Sequence, residues 1–177
     1  MKRTIIVLAL LALASLFSAC GSTAGNTGVA ATSAPTVQPT PTFTSSPQPK
    51  TADQILQFLK TQKLPIGASI VYTVDNDVNH LLGRPGQYTG KANFIDTRLT
   101  TTDTGVAISV SDGGSTETFD NMTDANARFA YIQQISKSSP LFAEYEYQGG
   151  LAVLRISSTL TPTQAQAYSN AFKKALG

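Results

Sequence analysis

The chain has 177 residues, with 13 Lys and Arg against 11 Asp and Glu, no tryptophan, one histidine and one cysteine. One cysteine excludes an internal disulfide, and one histidine excludes a zinc site built from histidines. No run of Lys or Arg extends beyond Lys173-Lys174, so a nucleic-acid partner is not expected, and nothing in the composition asks for a cofactor.

At the N-terminus, Lys2 and Arg3 precede about fifteen apolar or small residues, Ile5 to Ala19, that end at Cys20. The run is shorter than the roughly 20 residues of a membrane span, and the pattern is that of a signal peptide over residues 1–19. Its removal takes away Lys2 and Arg3 and leaves 11 basic against 11 acidic residues, so the alkaline pI belongs partly to the leader. From Gly21 to Lys50, seven Thr, five Pro and a single charge leave too little apolar surface to offset the entropy of ordering. Residues 20–50 are therefore expected to be a disordered tether, with a limiting reach of about 90 Å in the extended polyproline form and roughly 30 Å as a coil.

Residues 51–177 are expected to form a single α+β domain. Thr51 and Gln54 read as a capping box that opens a helix with Ile55, Leu56 and Leu59 on its buried face, closed before Leu64-Pro65. Ile70 to Val74 is β-branched and aromatic, which favours a strand. Asp75 or Asp77 is placed to cap a short helix through Val78, Leu81 and Leu82 that Gly83 and Pro85 would end. Lys91 to Arg98, Val106 to Ser111 and Ser115 to Phe119 read as strands, the last two joined by a hairpin turn at Asp112-Gly113-Gly114. A helix from about Thr123 to Ser136 spaces Ala125, Phe129, Ile132 and Ile135 along one face, with Asp124 and Arg128 four residues apart on another.

A final hairpin turns at Gly149-Gly150, which sets Tyr145 opposite Leu154 and Glu144 opposite Arg155. It places Tyr145, Tyr147, Leu154 and Ile156 on the core side. Thr161, Pro162 and Gln164 then start a last helix with Ala165, Tyr168, Phe172 and Ala175 buried, and Lys173 and Lys174 complement its C-terminal dipole. The expected architecture is an antiparallel sheet of about five strands, a meander plus the C-terminal hairpin, packed by two to three helices on one face.

Chemistry is sparse. His80 lacks a Gly-x-Ser-x-Gly elbow to serve, and reads as a polar helix-surface residue. The pairs Asp75/Asp77, Asp120/Asp124 and Glu144/Glu146 are explained by caps, turns or the outer face of a strand, and no calcium loop occurs.

Two stretches carry a resemblance. Leu16-Phe17-Ser18-Ala19-Cys20 resembles the lipobox of bacterial lipoproteins, in which a cysteine after small residues is diacylated and becomes the new N-terminus. Phe17 departs from the leucine usual there, and an ordinary secretory signal or an uncleaved anchor are the alternatives. Asn79 to Arg98, with Leu82-Gly83-Arg84-Pro85-Gly86, Tyr88-Thr89 and Asp96-Thr97-Arg98, resembles a loop and strand of uncharacterised bacterial surface lipoproteins. That likeness continues through residues 113–121, 125–135 and 154–168. A helix, a Leu-Gly-x-Pro turn and strands are also similar to the β-lactamase-inhibitor-protein-like and outer-membrane-assembly lipoprotein folds.

The resemblance implies lipid attachment at Cys20, a membrane partner through that lipid, and an extracytoplasmic location at the cell membrane. It carries no activity. The expected function is a non-enzymatic binding module of the cell envelope, contacting a protein, peptide or glycan through Arg84, Tyr88, Asp96 and Arg98. The alternatives are a hydrolase using Asp96 with Arg84 or His80, and a purely structural envelope lipoprotein.

Overall fold

The computed structural model describes residues 50–100 and 107–177. The predicted signal peptide, Cys20, the tether up to residue 49 and Val106 lie outside the described residues. The remainder falls in one unit whose element order is α1 (Ala52–Thr61), β1 (Ile66–Val71), β2 (Gly90–Asp96), β3 (Gly113–Thr118), α2 (Met122–Ser138), β4 (Glu144–Gly149), β5 (Ala152–Ser157) and α3 (Pro162–Leu176). The five strands make one antiparallel sheet in the order β1-β2-β3-β5-β4. The fold is α+β, as expected.

Both predicted capping boxes form. The hydroxyls of Thr51 and Thr161 accept from the backbone amides of Gln54 and Gln164, whose side chains accept from the cap amides in return. Ile55, Leu56 and Leu59 of α1 and Ala165, Tyr168, Phe172 and Ala175 of α3 are buried together. They cover Ala92 and Phe94 of β2 and Ala152, Leu154 and Ile156 of β5. Each such large side chain removed from water contributes about 1.5–3 kcal/mol. Phe94 stacks on Tyr168 with ring centroids 5.3 Å apart.

The third helix departs from the expectation. With α1 and α3 on one face of the sheet, α2 lies against the other, where Ala125 and Ile132 meet Val153, Phe119, Tyr88 and Tyr72. Alternation along β5 explains this, because Val153 points opposite to Ala152 and Leu154.

Five local expectations are corrected. Residues 78–82 form turns instead of a short helix, because the Asp77 carboxylate accepts from the amides of Leu81 and Leu82 and so stands in for the helical bonds. Of the strand expected over 106–111, the described part is irregular and then a 3-10 turn, Val110–Asp112. Ser109 donates its backbone N–H and hydroxyl to Asp112 there, which closes the turn one residue before the glycines.

Gly113 and Gly114 therefore do not form a hairpin turn; they are the first residues of β3. A Cβ on Gly113 would run into the backbone of Phe94, Ile95 and Asp96, so the residue is glycine for close approach to β2. β1 begins at Ile66, four residues earlier than predicted, and leaves Tyr72 free to turn into the core.

In the final hairpin, Tyr145 pairs with Ile156 and Tyr147 with Leu154, a shift of two from the predicted register. The turn is Gly150-Leu151, with φ +53° at Gly150, and Gly149 remains in the strand beneath Phe172 and Leu176. A shift of two preserves the side-chain parity, so Tyr145 and Tyr147 still pack with Leu154 and Ile156.

The two glycine roles separate by substitution. Gly113→Ala is expected to destabilise the fold by about 3 kcal/mol or more, since backbone must move, and Gly150→Ala by only about 1 kcal/mol. Urea denaturation of both variants checks this, and an equal or reversed order would contradict the packing assigned to Gly113.

Candidate functional site

The α2 face of the sheet carries charge where the other face is apolar. Strand register fixes the row: Lys91 of β2 lies opposite Glu117 of β3, while Arg155 of β5 lies between Ser115 and Glu146. Glu117 is wholly buried. Arg128, from the second turn of α2, grips it in a fork, Nε to Oε2 at 2.8 Å and Nη2 to Oε1 at 2.9 Å. Arg155 adds Nη1 to Oε1 at 3.2 Å and holds Glu144 through Nε at 2.8 Å and Nη2 at 3.0 Å.

The predicted Glu144–Arg155 pair therefore forms diagonally across the shifted register. It lies under α2, and not on an outer strand face, with the Glu144 side chain only 8% exposed. Arg128, expected to face Asp124, turns to Glu117, while Asp124 accepts from Asn121.

Burial acts on these carboxyls with different outcomes. For Glu117, burial alone would raise the pKa, but the fork from Arg128 and the charges of Arg128, Arg155 and Lys91 more than offset it, and the group is held below the carboxylate range. For Glu144, burial wins over Arg155, aided by the nearby charges of Glu146 and Glu117, and the carboxyl is pushed up.

A second buried pair pins the 73–89 loop. The Lys91 ammonium donates to Asp77 at 2.8 Å and lies 4.5 Å from the centroid of the Tyr72 ring. Tyr88 donates its hydroxyl to Asp77 at 2.6 Å, and backbone amides supply further bonds. Burial would raise the Asp77 pKa, yet the bonds from Lys91, Tyr88 and Leu81 bring it well below the carboxylate range. Burial and the Asp77 charge push the Tyr88 phenol up.

The four residues expected to meet a partner are not brought together. Arg84 is exposed, Tyr88 is buried in the α2-side cluster, and Asp96 lies on the opposite face of the sheet. Asp96 is wholly buried and receives Arg98 Nε and Arg98 N, both at 2.9 Å, and the Tyr168 hydroxyl at 2.8 Å. Tyr88 and Asp96 are thus internal braces instead of contact residues. Against burial, the Arg98 and Tyr168 bonds hold Asp96 ionised below its ordinary range, which is unsuited to an acid meant to titrate. His80 is exposed in a turn with φ +52°, not on a helix.

Two adjoining grooves open over the charged row instead. The larger, of about 590 Å³, runs between the second half of α2, the 3-10 turn Pro140–Phe142, the turn at Val110 and the end of β5. Its floor holds Arg128, Glu144, Arg155 and Ser157, and its rim holds Tyr131, Leu141 and Phe142. Leu141 is 90% and Phe142 57% exposed. The smaller, of about 360 Å³, shares Leu81, Arg128 and Tyr131 with it. Neither is lined by Arg84, His80, Asp96 or Arg98.

Sequence reasoning missed Glu117, Arg128 and Arg155 as a unit. The available signal was a carboxylate in mid-strand at Glu117, flanked by residues that alternate with the core. Among the described residues, no group of three or more His, Cys, Asp or Glu side chains is placed to hold a metal ion, and no helix is long and apolar enough to cross a membrane. No family model, no curated protein and no solved structure matches the chain.

Two outcomes follow from this chemistry. Glu117→Ala leaves the buried Arg128 guanidinium without its carboxylate, while Arg155 keeps Glu144, and is expected to cost about 3–5 kcal/mol in urea unfolding. The stabilities contributed by Asp77, Asp96 and Glu117, whose pKa values are lowered in the fold, are present above the unfolded range near pH 4 and lost as pH falls through their folded values. Tyr88 and Tyr168, raised in the fold, contribute stability that is lost as pH rises above about 10. Glu144, also raised, contributes with the opposite sign to the other carboxyls and partly offsets the acid limb. Unfolding free energy against pH should thus fall at both ends, and Asp77→Asn should flatten the acid limb.

Proposed function

We propose that the protein is an envelope lipoprotein, anchored through acylated Cys20, whose residues 51–177 form a non-enzymatic binding module carried outside the membrane on the 20–50 tether. The observation that carries the binding reading is the larger groove. It joins exposed apolar side chains at its rim, Leu141 and Phe142, to a floor of fixed charged and hydroxyl groups. Its volume lies in the range of sites that hold small molecules or a few residues of a chain, and apolar rims beside convergent polar groups mark binding surfaces.

In this reading the 73–89 loop, held by Asp77, sets one end of the groove through Asn79 and Leu81, and the 84–98 segment first expected to make the contact does not line it. A hydrolytic role for Asp96 lacks support, because its carboxylate is ion-paired inside the core. The anchor follows from the resemblance of Leu16 to Cys20 to a lipobox and from the tether composition that follows it.

The anchor is tested by mass spectrometry of the native protein and by fractionation of Cys20→Ala. Two acyl chains hold a protein firmly where one does not, so the variant should leave the membrane fraction. An unmodified thiol on native protein would refute the anchor. The groove is tested with a photo-crosslinking residue at position 131 or 142 in intact cells, against position 166 on the exposed side of α3 as control. Adducts confined to 131 and 142 are expected, and equal yields at all three positions would remove the groove from the claim.

A further inference from the structure

Arg128 is the charged side chain common to both grooves. Its Nε and Nη2 are committed to Glu117, while its Nη1 has no hydrogen bond among the described residues, and the side chain, 9% exposed, lines both grooves. Glu117 is engaged by both arginines and Glu144 by Arg155, while Glu146, whose Oε1 has no hydrogen bond among the described residues, does not line the groove. What the floor offers a newcomer is therefore a donor, on a guanidinium whose orientation the Glu117 fork fixes in advance. A planar anion matches that geometry better than a neutral acceptor does.

Beside this donor stand Ile135, Leu141 and Phe142, which call for an apolar side chain on the ligand. Asn79, Ser111 and Ser157 also line the groove and would leave an acyl chain against hydrogen-bonding groups. A neutral glycan would leave Leu141 and Phe142 unfilled. The ligand that meets all three surfaces has a carboxylate, apolar side chains next to it and a backbone able to hydrogen-bond.

We propose that the larger groove binds the free C-terminal end of a peptide whose last residues are apolar, with the terminal carboxylate on Arg128 and the apolar side chains against Leu141 and Phe142. This rests on the binding-module reading above and names its ligand. Repulsion from Glu144 is limited, because Arg155 holds both of its carboxylate oxygens. Binding through a preset guanidinium avoids the entropy of ordering a free side chain.

The test uses the full chain held in a lipid nanodisc, with an empty nanodisc as the control for partition. The probe is a fluorescent tetrapeptide of two alanines, a phenylalanine and a leucine, offered as the free acid and as the C-terminal amide. Fluorescence anisotropy should show the acid binding at least tenfold more tightly than the amide. Leu141→Ser and Phe142→Ser, at exposed positions that the fold does not need, should each weaken the acid about fivefold. Arg128→Lys should bring the acid down to the level of the amide.

Equal affinity for acid and amide, or no effect of the two rim variants, would overturn the proposal. So would dodecanoate displacing the peptide at lower concentration than the peptide itself requires, which would assign the groove to an acyl chain. If no peptide binds while crosslinks at positions 131 and 142 persist in cells, this ligand is wrong and the groove reading stands. Loss of both would remove both.

Discussion

The Glu117 carboxylate is the group on which this structure depends. It sits one residue from the end of the central strand β3, wholly buried, and moving such a charge out of water costs several kcal/mol even after relaxation. Arg128 and Arg155 offset that cost, and in doing so they join α2, β3 and β5, while Glu144 extends the link to the edge strand β4. The network contributes less to net stability than an apolar substitute of the same volume could. Its consequence is positional: α2 has one seat on the sheet in which the fork closes.

The two faces of the sheet divide the work. Under α1 and α3 the strands present Ala92, Phe94, Leu154 and Ile156, and the packing is apolar and close enough to require glycine at positions 114 and 149. Under α2 the same strands present Lys91, Glu117, Arg155 and Glu144. Only Ala125 and Ile132 of the 17 residues of α2 are buried, so the helix is held by ion pairs at one end and borders an open groove at the other. A face that already holds charges in fixed orientation can receive a polar ligand without reorganising, and this ties the binding reading to the fold.

Local signals were legible where the physics is local. The capping boxes at Thr51 and Thr161, the buried faces of α1 and α3 and the parity of the final hairpin all depend on residues a few positions apart, and all are present. Asp77 misled because its geometry suits a helix cap and a loop brace equally, and only the distant Lys91 and Tyr88 decide between them. Gly113 and Gly114 misled because a glycine pair serves a turn or a close strand approach equally well, and β2 decided. Tyr88, Asp96 and Arg98 are the residues expected to meet a partner, yet their hydrogen bonds close inward.

From the order of residues alone came the expectation of a lipobox-like leader, the Thr- and Pro-rich composition of residues 21–50, the α+β class and the core sides of most elements, because motif, composition and periodicity are properties of contiguous sequence. Tertiary structure alone decided the strand order, the placement of α2 on the second face, the two-residue shift of the hairpin and the meeting of Glu117, Arg128 and Arg155. Those three residues are separated by up to 38 positions, and an ion pair between them exists only once the sheet has brought their strands and helix together.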